Sequence, residues 1–197
     1  MRGSRRPCAA YDLTFSPPKS VSALWAIGDP DVASAVEAAH DAAITAALDW
    51  IEQEAGWTRT GRNGVNHERV EGLVVSRWQH RTRRSGDPQL HTHCAVLNKG
   101  RTVSDGKWRA LDGQTIYASS AAGNARYLSA LESELTDRLG VEWSAANGTA
   151  REVVGIPSVL RNLWSKRAAD IASAVRDEVG TPEGRGRAHH SVHTYYR

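Results

Sequence analysis

An α+β fold, an antiparallel β-sheet with helices packed on it, is what this sequence predicts, and three observations carry it. Tyr11 to Ser16 and Leu90 to Leu97 alternate apolar and polar side chains with the period of a half-buried strand. Ser85-Gly86-Asp87-Pro88 supplies turn chemistry that folds the β-rich stretch Val70 to Gln79 back on the strand that follows. Two long segments, by contrast, repeat their apolar residues at helical spacing.

Taken in order, Tyr11, Leu13 and Phe15 form one face of the first strand and Asp12, Thr14 and Ser16 the other. Ser16 then reads as an N-cap and Pro17 as the first residue of a helix through Ile27. Pro30 to Ala55 reads as one helix, with Val36, Ile44, Leu48 and Ile51 on an apolar stripe. Gly56 to Gly64 reads as a loop before the histidine-bearing hairpin. Gln114 to Leu139 is a further helix, with Leu128, Leu131, Leu135 and Leu139 at helical spacing and Gly140 beyond its end. Val141 to Val154 returns as a short hairpin around Asn147-Gly148, and Pro157 opens a helix toward Val179. Residues 1–10 are expected to be a basic tail, 11–179 a single domain, and 180–197 a polar, disordered tail that includes His189, His190 and His193. There is no internal repeat.

The chemistry concentrates in RWQHRTRRSGDPQLHTHCAVLN. His91 and His93 are two apart on a strand, so they share a face, with Cα atoms roughly 7 Å apart. The hairpin brings His80, at the end of the preceding strand, beside them. Three neutral imidazoles converging on one point suit a divalent transition metal and leave a coordination position for a substrate oxygen. Metal-bound histidines usually donate their second ring N–H to a carboxylate or carbonyl, and Asp12 on the polar face of the first strand is the candidate. A strand delivering a helix N-terminus also makes a phosphate-binding corner, to which Lys19 adds a charge.

Together these segments resemble a known family. DLTFSPPKSVS from Asp12 to Ser22, then His80, DPQLHTH from Asp87 to His93, Asn98, and WRALD from Trp108 to Asp112 follow the order of the relaxase domain of TrwC/TraI-type (MobF) conjugative relaxases. The resemblance spans about residues 10 to 175. It implies a relaxase, HUH-endonuclease-like palm and a metal, Mg, Mn or Zn, held by His80, His91 and His93. It also implies nicking of one DNA strand at a plasmid transfer origin through a 5′-phosphotyrosine, with single-stranded DNA and other conjugation proteins as partners. Asp12 would orient one histidine or help accept a proton. The family's nucleophilic tyrosines lie upstream of the DLTFS strand, whereas this chain reaches Asp12 after eleven residues. The expectation is therefore a fragment lacking the family's first strand and its nucleophile. Tyr11 should point away from Asp12, Tyr117 and Tyr127 lie in a helix, and Tyr195-Tyr196 come in the wrong order.

Charge distribution agrees with a nucleic-acid partner. Net charge is +3, but Arg77, Arg81, Arg83 and Arg84 crowd the hairpin, with Arg109 further on, while Glu37, Asp41, Asp49, Glu52 and Glu54 concentrate in a helix. Trp78 and Trp108 lie among the arginines, where they stack on bases or enter the core; Trp25, Trp50 and Trp164 read as core. No run reaches the length of a membrane span, and Arg5-Arg6 is followed by no apolar run. Cys8 and Cys94 lack metal or redox spacing, which fits a reducing cytoplasm. No G-x-x-x-x-G-K-[ST] loop occurs, so ATP is not an expected ligand. Two other function classes stand beside the relaxase: a non-catalytic single-stranded DNA-binding module that keeps the metal site, and a hydrolase using a metal-activated water.

Overall fold

The computed structural model describes residues 8–83, 86–146, 148 and 150–164. Strand β1 (Ala10–Phe15) leads into helices α1 (Lys19–Ile27) and α2 (Pro30–Ala55). Strands β2 (Trp57–Thr60), β3 (Asn66–Glu71), β4 (Val75–Thr82), β5 (Pro88–Leu97), β6 (Gly100–Thr102) and β7 (Trp108–Arg109) follow. Helices α3 (Gly113–Leu139) and α4 (Ser158–Leu163) complete the described elements. One antiparallel sheet has the order β1-β5-β4, and a second has the order β2-β3-β6-β7.

Both long helices form where their periodicity places them. Asp29 caps α2 by accepting from the Val32 N–H, Pro30 opens it, and the predicted stripe of Val36, Ile44, Leu48 and Ile51 is buried. Asp112 caps α3, whose Leu128, Leu131 and Leu135 are buried, and Gly140 ends it in the left-handed conformation. These helices pack on each other and on the inner face of the three-stranded sheet, where Phe15, Leu90, Cys94 and Val96 complete the core. Trp25 and Trp50 are half-buried against it. No helix among the described residues is long and apolar enough to cross a membrane.

Three local expectations are corrected. The segment Gly56 to Gly64 is not all loop, because Trp57–Thr60 pairs with β3 from Trp57↔Arg69 to Thr60↔Asn66. The stretch Val70 to Gln79 is not one strand either. It breaks at Gly72, whose φ of 74° suits glycine, and there the Glu52 carboxylate accepts from the Gly72 and Leu73 N–H groups. Upstream of that break the chain belongs to the second sheet, downstream to the first. Finally, α1 begins at Lys19 with Pro18 rather than Ser16 at the N-cap, and Ser16 Oγ instead accepts from Gln89 Nε2.

The β4–β5 hairpin forms as its turn residues predict, with Gly86 at φ 81° and the Arg83 N–H donating to the Asp87 carbonyl. Trp143 and Val153 bridge antiparallel in the predicted C-terminal return. Arg84, Asn147, the helix beyond Trp164 and the tail 180–197 lie outside the described residues.

Candidate metal and nucleic-acid site

Side-chain parity divides the three-stranded sheet into two faces. Pairing of Thr14 with His93, Trp78 with His93, and His80 with His91 puts all three histidines, Thr14 and Trp78 on the face away from the helices. Asp12, opposite Ala95, joins them. The imidazole centroids form a near-equilateral triangle with sides of 5.2, 5.4 and 5.4 Å.

Hydrogen bonds fix which ring nitrogens face outward. His91 Nδ1 lies 3.0 Å from the Gln89 carbonyl oxygen, which can only accept, so Nδ1 carries the proton and Nε2 the lone pair. His93 Nδ1 lies 2.9 Å from Asp12 Oδ2 and 3.0 Å from Thr14 Oγ1, which gives it the same tautomer. Burial, opposed by the Gln89 hydrogen bond and joined by His80, His93 and Arg83, lowers the His91 pKa from the usual imidazole value. Imidazoles whose Nδ1 is hydrogen-bonded, as in His91 and His93, leave Nε2 as the nitrogen suited to a divalent cation. His80 and His91, however, are stacked at 19°. As they stand, no group of three or more His, Cys, Asp or Glu side chains among the described residues has the geometry of a metal site.

The basic residues divide differently. Arg77 and Arg81 alternate with His80 and face α2, where Arg77 pairs with Asp41 at 2.9 Å and Arg81 with Glu37 at 3.0 Å. Arg109 lies in the second sheet, held by both oxygens of Asp105 at 2.6 Å, and the pairing keeps the Asp105 carboxyl well below its usual range. Lys19 donates to the Pro88 carbonyl at 2.7 Å and to Gln89 Oε1 at 3.2 Å, and its burial lowers its pKa. The nearby helix N-terminus is also engaged, because Glu152 Oε2 accepts from the Ser20 N–H at 2.9 Å. Among the described cations predicted to contact DNA, Arg83 acts by its charge on His91.

Two further contributors were not singled out by sequence. Thr14 shares His93 with Asp12, and its parity with Asp12 was the available signal. Beneath the site, buried His40 joins Tyr127 Oη at 2.8 Å to Thr92 Oγ1 at 2.9 Å, and Thr92 lies between His91 and His93 on the inner face of β5. The signal for His40 was a polar residue on the apolar stripe, four residues from both Val36 and Ile44.

The described tyrosines stay off the histidine face. Tyr11 pairs with Val96 on the inner face, Tyr127 is fully buried, and Tyr117 lies on α3.

An antiparallel palm covered by helices, with a histidine triad on its open face, defines the relaxase, HUH-like class. The chain belongs to the TrwC relaxase family, whose model matches residues 2–195. It is similar to the conjugative relaxase TrwC in complex with oriT DNA, in a metal-free structure, with a TM-score of 0.80 and 33% identity over 93% of this chain and 63% of that one. A metal-bound TrwC–oriT DNA structure matches with a TM-score of 0.79, again at 33% identity, covering 93% of this chain and 62% of that one. The multifunctional conjugation protein TraI of Escherichia coli is 33% identical over 188 residues, 89% of this chain and 10% of that protein. The chain thus spans about a tenth of the curated relatives' length and under two thirds of the solved TrwC chains.

Proposed function

We propose that this chain is the DNA- and metal-holding core of a conjugative relaxase, which binds single-stranded DNA at a transfer origin and presents one phosphodiester for strand-specific nicking. The observation that carries this is the outward triad of His80, His91 and His93 with Asp12 behind His93, on a palm of the TrwC family. In this reading the three Nε2 atoms are the ligands of a divalent ion. Once bound, that ion supplies charge stabilisation at the phosphoryl oxygens. Asp12 and the Gln89 carbonyl hold two imidazoles in the ligating tautomer, and Arg83 adds positive charge at the same end.

Nicking proceeds by attack of a tyrosine oxygen on phosphorus. The P–O3′ bond breaks, the 3′ oxygen leaves with a proton, and a 5′-phosphotyrosine remains. With the described tyrosines off this face, the nucleophile in this reading comes from outside the described residues. The same placement favours a second reading, a module that binds single strands without cleaving them.

The test is calorimetric titration of the full chain and of the His91→Ala/His93→Ala variant with Mn²⁺ and Zn²⁺. Each is also mixed with a labelled single strand and resolved on denaturing gels. Metal affinity lost in the variant supports the ligand assignment, and unchanged affinity overturns it. A covalent adduct with the intact chain selects nicking, whereas binding without one selects the module.

A further inference from the structure

The outward face of the three-stranded sheet carries a large aromatic ring beside the imidazoles. Trp78 sits directly across from His93 and two residues before His80 on the same strand. Its relative exposure is 53%, and it makes no hydrogen bond among the described residues. In the next row away from the histidines, Ser76 on the same strand faces Ala95, with Asp12 beyond it on β1, so the indole has a small neighbour along its own strand. Trp108 is equally exposed but lies on the second sheet, away from this cluster.

Position, not exposure, gives Trp78 its meaning, since scattered exposed apolar residues are ordinary. An alternate pair on a strand spans roughly 6.8 Å between Cα atoms. That is about twice the 3.4 Å stacked repeat of a nucleic-acid strand, the reach of one extended nucleotide. A phosphate at the imidazoles therefore brings a neighbouring base over the indole. Electrostatics points to the same occupant. Among the described residues of this face, Asp12 is the one carboxylate and it is engaged by His93, while Arg83 adds charge near His91. Positive charge tracking a backbone beside an aromatic platform is how proteins bind single strands with little sequence preference.

We propose that Trp78 is a stacking platform for an unpaired base of single-stranded DNA, one nucleotide from the phosphate held at His80, His91 and His93. The inference rests on the single-strand reading above and adds to it a place for a base.

The experiment compares the full chain with Trp78→Ala and Trp78→Phe, using a mixed-sequence fluorescein-labelled single strand and the matching duplex in the presence of Mn²⁺. Trp78→Ala should lose roughly 5- to 150-fold in single-strand affinity, the worth of one base–aromatic stack, and Trp78→Phe much less. The slope of affinity against salt should not change, because no phosphate contact is removed. Manganese affinity and the urea midpoint should also hold. Tryptophan quenching on adding the strand should shrink in Trp78→Phe. If the wild-type chain binds single strands and Trp78→Ala binds them equally well, the platform is refuted and the single-strand reading stands. If the wild-type chain binds no single strand, both fall. Loss of manganese affinity or a large drop in the urea midpoint in Trp78→Ala would make the indole a support of the sheet, and that also overturns the proposal.

Discussion

His40 makes the fold sensitive to acid in a way that can be worked through from the structure. It is 2% exposed, and both ring nitrogens are engaged, Nδ1 with the Tyr127 hydroxyl and Nε2 with the Thr92 hydroxyl. A neutral imidazole offers one donor and one acceptor, so the two hydroxyls take opposite roles and the network closes without a proton to spare. Burial is the main reason its pKa falls from 6.5 to about 4, outweighing the opposing influence of Asp41. The unfolded chain therefore binds more protons than the folded one between those values. Stability is full above the unfolded pKa and is lost as pH falls toward the folded one. The two pKa values correspond to about 2 kcal/mol lost between pH 7 and pH 5, and about 3 kcal/mol in the limit below both.

His40→Gln removes this titration while keeping a donor and an acceptor in place. At pH 7 the variant should be less stable, by about 1–2 kcal/mol, because its amide cannot reach both hydroxyls as the ring does. Between pH 7 and pH 5 the gap should shrink by about 2 kcal/mol, since only the wild type has this proton to take up. The assay is urea unfolding followed by tryptophan fluorescence at several pH values in that window. Groups that do not interact with His40 are common to both proteins and cancel in the difference, whereas Asp41, His91 and Glu37 act on it by charge and belong to the same titration. Parallel loss of stability in wild type and variant would refute the reasoning, because His40 would then not be held neutral by the core.

Two further outcomes concern the site. Asp12→Asn keeps the shape behind His93 but removes the charge facing Nδ1, so Mn²⁺ affinity measured by calorimetry should fall about 10- to 100-fold, and an unchanged affinity would remove Asp12 from the site. Lys19→Ala should lower the urea midpoint by breaking the tie from α1 to Pro88 and Gln89, yet leave the salt dependence of single-strand binding unchanged. A slope reduced by about one would show instead that Lys19 meets a phosphate.

Local periodicity carried a large part of this fold. The stripe of α2 and the Pro30 that opens it are local signals, and the helix runs from Pro30 to Ala55 as its pattern indicates. The histidine triad was legible for the same reason, since strand parity and one turn fix which side chains meet. Strand β2 was hidden because four residues between glycines carry too little pattern to stand apart from a loop, and its partner β3 supplies the reason it is extended. The occupation of the predicted phosphate corner at α1 was hidden for a different reason. Glu152, which occupies the Ser20 N–H, lies 132 residues away, and no local rule foretells that contact.

Parity also explains why clustered arginines in a sequence do not make a basic face. Arg77 is an odd number of residues from His80, so on a regular strand it points to the side opposite it, and Arg81, at the register irregularity just after His80, reaches the same helix. There they meet Glu37 and Asp41 of α2, and the acidic helix and basic strand that sequence set apart as two territories become two halves of one interface. Even-numbered positions of β4, by contrast, give Trp78 and His80 to the outer face. The outer face therefore carries three imidazoles and an indole, with Asp12 against His93 and Arg83 at the turn. If the proposed function holds, affinity of such a face for DNA should depend on a bound divalent ion more than on the count of lysines and arginines nearby.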